Sequence, residues 1–90
     1  MASEARYRRD DALPFQEIQG QAVIVCPARQ ELHQLDGVAT FLWNRLDRPR
    51  SAAELAAAVC EEFEVEPDQA EKDVRGFLAD LERKGLAGRA

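Results

Sequence analysis

The stretch LHQLDGVATFLWNRLD, Leu32 to Asp47, contains the change of pattern that decides the fold. It starts as an ambiguous extended segment and becomes an amphipathic helix. Ala39, Leu42, Trp43 and Leu46 fall at i, i+3, i+4 and i+7, a single helical stripe. Asp36 is a good N-cap for this helix. Asp47-Arg48-Pro49 closes it after Leu46, because a residue before proline is pushed out of the α region. The stripe carries the only tryptophan of the chain. It is expected to lie where this helix meets the other elements.

Upstream, the pattern is extended. PFQEIQGQAVIVCP reads as a hairpin, with strands at Phe15 to Ile18 and Gln21 to Cys26 and a turn at Gln19-Gly20. Pro27 ends the second strand, since it lacks the ladder N–H. A third short strand is expected at about Glu31 to Leu35. Its alternation is imperfect, because Leu32 and Leu35 would point to opposite faces. Residues 1–12 alternate charges and offer few apolar side chains, so they are expected to be a mobile segment ahead of a domain spanning residues 13–88.

Downstream, two more helices follow. Ser51 with Glu54 three residues on is a capping box. The helix behind it would bury Leu55, Ala58, Val59 and Phe63. Pro67 opens the last helix at a first-turn position, where its missing N–H costs nothing. Ala70, Val74, Phe77, Leu78 and Leu81 form its stripe, and Gly85 stops it so that Leu86 can fold back onto Leu81. Asp68–Lys72, Glu71–Arg75 and Asp80–Lys84 are i,i+4 pairs in the favourable order, each worth roughly 0.2–0.5 kcal/mol. The expected class is α+β: a three-stranded antiparallel sheet followed by three helices, a winged-helix-like arrangement.

Composition narrows the function. Ninety residues make one small domain with a modest core. The formal net charge of −5 argues against nucleic acid, which is bound through clustered Lys and Arg. No apolar run approaches the roughly 18 residues of a membrane span. MASEARYRRDD has no signal-peptide core, which leads to a cytoplasmic assignment. Cys26 and Cys60 form no CxxC, and with one histidine they cannot supply a zinc site of the usual spacing. They read as small buried apolar residues. No cofactor is expected, and no motif pairs His33 with a nucleophile or carboxylate for catalysis. The plain reading of His33 is a partly buried or edge-strand histidine. Arg45, Arg48 and Arg50, the nearest thing to a basic patch, read as a solvated turn.

The stretch from Leu32 to Leu86 resembles the PqqD family, whose members are peptide chaperones and RiPP recognition elements that hold the leader of a ribosomally made precursor peptide for a modifying enzyme. The resemblance rests on Leu35, Ala39, Leu42, Trp43 and Leu46, then on Ser51, Glu54, Leu55, Val65 and Pro67. It continues through Asp73, Val74, Phe77, Leu78, Leu81, Gly85 and Leu86, and covers about residues 14–87. Asp36 stands where the family usually has Asn, His33 where an aromatic is common, and Glu66 where Asp precedes the proline. CPARQ departs from the Pro-Glu pair of the enzyme-cofactor branch, which points away from pyrroloquinoline quinone synthesis as the pathway.

The resemblance implies a non-catalytic adaptor that binds the leader as an added β-strand on the edge of the third strand, in a groove shared with the last helix. Backbone hydrogen bonds would give affinity there, and side-chain pockets specificity. It places the peptide-binding edge at Glu31, Leu32, His33, Gln34 and Leu35; on the helix, where the sequence does not fix which shoulder faces the groove, the candidate residues are Asp73, Phe77, Leu78, Asp80 and Lys84. A helical wheel puts Asp73, Asp80 and Lys84 on one shoulder of the helix stripe, and Glu71, Arg75 and Leu78 on the other. The reading leans to the Asp73 shoulder. The implied partners are the precursor leader and a radical enzyme, peptidase or cyclase, with no nucleic acid and no membrane. The alternatives are a regulatory interaction domain for another enzyme such as a kinase, and a winged-helix DNA-binding protein. The second is opposed by Glu71, Asp73, Asp80 and Glu82 on the helix that would enter the groove of DNA.

Overall fold

The computed structural model describes residues 5–90. Its elements are β1 (Arg6–Arg9), β2 (Phe15–Ile18), β3 (Gln21–Cys26), β4 (Glu31–Gln34), α1 (Gly37–Arg45), β5 (Arg50–Ser51), α2 (Ala52–Glu62), α3 (Pro67–Lys84) and β6 (Ala87–Arg89). The fold is α+β, with three helices and antiparallel strands in two sheets, ordered β2-β3-β4 and β5-β1-β6.

The first sheet follows from its turn chemistry. Gln19 and Gly20 both have positive φ, 54° and 79°, as a two-residue hairpin loop matched to strand twist requires. The register is thereby set at Ile18↔Gln21 and Phe15↔Ile24. Ala22, Ile24 and Cys26 then point inward and are buried. Gln30, at φ 55°, completes the four-residue return into β4, whose register runs from Cys26↔Glu31 to Val23↔Gln34. Pairing extends one residue further, because the Leu35 N–H donates to the Ala22 carbonyl at 2.8 Å.

The helix ends follow their local signals. The Asp36 carboxylate accepts the Ala39 N–H at 2.9 Å. Ser51 and Glu54 form the reciprocal capping box, at 3.1 and 2.8 Å. Pro67 begins α3, and Gly85 ends it in the left-handed region at φ 75°. The Leu86 N–H returns to the Leu81 carbonyl at 2.9 Å, the six-to-one bond of a Schellman ending. Of the three i,i+4 pairs expected on α3, Glu71–Arg75 closes to 3.7 Å and Lys84–Asp80 to 2.9 Å. Asp68–Lys72 does not form an ion pair among the described residues.

The core is one cluster built from β3 and all three helices, including Ile24, Leu42, Trp43, Leu46, Leu55, Val74, Leu78, Leu81 and Leu86. On α2 the buried residues are Ala52, Leu55, Ala56 and Val59, while Ala58 and Phe63 are only half-buried. Cys26 is buried and Cys60 half-buried, both as free thiols. α2 and α3 form the main helix contact, and β6 returns along α3.

The expectation of a mobile segment over residues 1–12 is corrected from Arg6 onward; residues 1–4 lie outside the described residues. β1 pairs with β5 (Arg6↔Ser51, Tyr7↔Arg50) and with β6 (Tyr7↔Arg89, Arg8↔Gly88, Arg9↔Ala87). The Arg9 N–H also satisfies the carbonyl of Leu46 at the end of α1, at 3.0 Å. The Arg9 guanidinium lies 4.7 Å from the Phe15 ring centre and 5.7 Å from that of Trp43, and it donates to the Trp43 carbonyl at 3.2 Å. A charged residue thus joins the core through its planar head, stacked on aromatic rings, which a count of apolar residues does not register. The second sheet, made of three very short strands, was not foreseen.

Trp43 is fully buried and meets Phe15 edge-on, with ring centres 5.6 Å apart at 86°. Its indole N–H has no hydrogen-bond partner. Trp43→Ala is expected to cost about 3–5 kcal/mol, a large part of the roughly 5–15 kcal/mol typical of a domain. Trp43→Phe keeps a ring against Phe15 and removes the unpaired donor, so it should cost much less. Thermal melts of the two variants test this, and equal losses would mean that ring packing is not what Trp43 supplies.

Glu54 generates an acid dependence. Its carboxyl is held below the ordinary 4.5, first by accepting the Ser51 backbone N–H. Desolvation opposes this shift, and the charges of Arg6 and Arg50 and the Ser51 hydroxyl add to it. The folded state therefore holds this proton less tightly than the unfolded chain. The resulting stability is complete above about pH 4.5 and is lost as pH falls through the lowered folded value. Glu54→Gln keeps an acceptor for Ser51, so its melting temperature should fall less than that of wild type between pH 6 and pH 3. Parallel pH profiles for the two proteins would remove the capping box as a source of acid sensitivity.

Candidate functional site

β4 is an edge strand, paired only with β3 among the described residues. Its free side can be assigned residue by residue. The Leu35 N–H turns inward to Ala22, while the Val25 N–H turns away from β4, to Pro14, at 2.8 Å. Ile24 faces His33, and Cys26 faces Glu31. The inward peptide groups of β4 are therefore those of Glu31, His33 and Leu35, and those of Leu32 and Gln34 point to the open edge.

The same alternation sorts the side chains. Glu31, His33 and Leu35 share the face of the buried Ile24. His33 is half-buried, its Nε2 3.1 Å from Glu31 Oε1, and Leu35 packs on the core. Leu32 (70% exposed) and Gln34 lie on the outer face, where Gln34 donates to Gln21 at 2.5 Å. This outer face carries Ile18, Val23, Val25 and Leu32 among three glutamines, Gln16, Gln21 and Gln34, and no charged residue.

α3 runs antiparallel to β4, as three points along it indicate. Arg29, in the turn before β4, lies over Gly85 at the end of α3. In the middle, His33 is close enough for its charge to act on Asp80. At the far end, Asp36 and Asp73 line one cleft together with Val38, Ala39, Leu42 and Phe77. The Asp80 carboxyl is held below its ordinary value, first by a hydrogen bond from Lys84. Desolvation opposes this, and the charges of Lys84, Arg83 and His33 add to it. Arg83 also pairs with Asp80.

Of the residues expected at the site, Asp73 and Phe77 line that cleft, and Leu35 lies with Asp36, Gln21 and Gln34 around a second, shallower one at the end of β4. Leu78 is corrected: at 2% exposure it belongs to the core, on the far side of the α3 stripe, and it is not open to a ligand. Asp73 and Phe77 face the cleft that α3 forms with α1. The residues that sequence reasoning missed belong to α1 and its N-cap: Asp36, Val38, Ala39 and Leu42 are four of the six residues that line the cleft. Val38 gave a usable signal, since it is an aliphatic off the Ala39–Leu42–Trp43–Leu46 stripe and is 39% exposed. Among the described residues, no group of three or more His, Cys, Asp or Glu could hold a metal ion, and no helix is long and apolar enough to cross a membrane.

Residues 21–87 match the family described as Coenzyme PQQ synthesis protein D (PqqD). The chain belongs to the PqqD family. Its fold is similar to that of TbiB1, solved in complex with the TbiA(beta) leader peptide, with 28% identity and a TM-score of 0.81 over 89% of this chain and 93% of that one. Lasso peptide synthetase B1, complexed with its leader peptide, is 26% identical, with a TM-score of 0.80 over 91% of this chain and 96% of that one. The PqqD truncation of Methylobacterium extorquens PqqCD, described as a functional, stand-alone RiPP recognition element, is 19% identical. It has a TM-score of 0.76 over 93% of this chain and 89% of that one, and supports the fold alone. No curated protein matches the sequence.

Proposed function

We propose that this PqqD-family chain is a non-catalytic, winged-helix-like adaptor. It holds the leader of a ribosomally made precursor peptide for a modifying enzyme, in the cytoplasm. The observation that carries the reading is the open edge of β4, with the outward peptide groups of Leu32 and Gln34 beside the groove of α3. Two similar folds, at 28% and 26% identity, are complexes with leader peptides. A leader added to β4 would bond to Leu32 and Gln34, and rest side chains on His33, Leu35 and Phe77 and against Asp73, Asp80 and Lys84. Each net backbone bond contributes about 0.5–1.5 kcal/mol. The modifying enzyme, whether radical enzyme, peptidase or cyclase, would act on the peptide so presented.

Neighbouring prolines test the strand addition. Gln34→Pro removes an outward donor and should weaken leader binding by roughly two- to tenfold in calorimetric titration while the fold survives. His33→Pro breaks the ladder opposite Ile24, so its loss should appear first in circular dichroism and melting. His33→Ala should weaken binding only modestly, since backbone bonds tolerate side-chain change. A folded Gln34→Pro variant that binds like wild type would remove this edge from the site. Duplex DNA should not bind: the charge is −5, and Glu71, Asp73 and Glu82 are exposed along α3. Tight anisotropy binding at low salt that falls steeply with added salt would overturn this.

A further inference from the structure

We infer that the cleft between the start of α1 and α3 is a specificity pocket for one basic side chain, lysine or arginine, of the peptide held on β4. The inference deepens the leader-binding reading and rests on it. The cleft, about 330 Å3, opens where β4 ends, since Asp36 follows Leu35 directly. An added strand that follows the edge past Gln34 delivers its next side chain there. The floor is apolar, from Val38, Ala39 and Phe77, with the buried Leu42 beneath them. The two charged residues in its wall, Asp36 and Asp73, are both acidic.

Neither carboxylate is neutralised from within: among the described residues, no cation pairs with Asp36 or Asp73. Asp36 Oδ1 accepts the Ala39 N–H and Asp73 Oδ1 accepts from Gln69 Nε2 at 2.8 Å, which leaves the second oxygen of each free. A long aliphatic stem ending in a cation complements such a site, its stem on the apolar floor and its head at the carboxylates. A wholly apolar side chain would match the floor and leave both charges unanswered, and an acidic one would be repelled. Two carboxylates over an apolar floor also fall short of the six to eight oxygens of a calcium site.

The probe is a display library of random 20-residue peptides, selected on the full chain. Asp36→Asn keeps the helix cap, and Asp73→Asn keeps an acceptor for Gln69. The double variant therefore removes charge with little cost to the fold, which a melt checks. Peptides that bind wild type, and lose affinity on Gln34→Pro, are expected to carry Lys or Arg at one fixed position. That preference should vanish in selections on the double variant. Replacing the basic residue of a selected peptide by norleucine should weaken its binding to wild type by about fivefold, the upper range for a partly exposed ion pair, and leave binding to the double variant unchanged. Edge-dependent peptides with no basic position, or a basic preference that survives the double variant, would overturn the inference and leave the leader reading intact. Failure to select any edge-dependent peptide would overturn both.

Discussion

The whole arrangement depends on how Trp43 is enclosed. An indole in the last turn of a nine-residue helix is too large to be covered by one neighbouring element. Here β2 supplies Phe15 edge-on, and β1 supplies the guanidinium of Arg9 over both rings. The same arginine donates to the Trp43 carbonyl, and its backbone N–H takes the carbonyl of Leu46. One ring thereby fixes the hairpin, the first helix and the N-terminal strand relative to each other. The second sheet follows, since β1 held at Arg9 lies in register for both β5 and β6.

Once Trp43 is covered, the placing of the open edge is a consequence. The inward side of β3 is filled by Ala22, Ile24 and Cys26, so β4 must present His33 and Leu35 to the same side. Thr40 reinforces this, as its hydroxyl accepts the Ala22 N–H at 2.8 Å and donates to the Leu35 carbonyl at 3.3 Å. That pins the start of α1 to the end of β4. α3, packed on α2, passes alongside without closing the edge. An unpaired strand normally invites aggregation, and here it is blunted by its four-residue length and by Glu31.

Most of the fold was legible because its signals are local. The hairpin follows from Gln19-Gly20 between apolar runs, the helix starts from Asp36, Ser51 and Pro67, and the end of α3 from Gly85. What was not legible is what depends on distant partners. β1 has no apolar run of its own, and it is a strand because Arg9 finds Trp43 and because β6 returns beside it. For the candidate site, the β4 edge follows from family resemblance and the Asp73 shoulder from a helical wheel that leaves both shoulders open; the structure adds which peptide groups of β4 face outward. Leu78 was misplaced because stripe membership does not separate a core residue from one at the rim, whereas Phe77, one position earlier, is half-buried and lines the cleft. The contribution of α1 was missed because its apolar stripe accounted for Ala39 and Leu42 as core, leaving only Val38 unexplained.

Asp36 shows how one position can serve structure and recognition with different atoms. Asn is the usual residue there in the family resemblance, and Asn and Asp cap helices about equally well. The helix dipole favours the charge at this position by only about 0.3–1 kcal/mol, and the cap itself needs only one of the two oxygens. One carboxylate oxygen caps Ala39, and the residue lines the α1–α3 cleft, whose other charged lining residue is Asp73 and not a cation. Placed beside Asp73, the charge sets a polarity at the end of an edge that otherwise reads only backbone. Strand addition by itself is nearly indifferent to sequence, so discrimination among peptides has to come from side-chain sites of this kind.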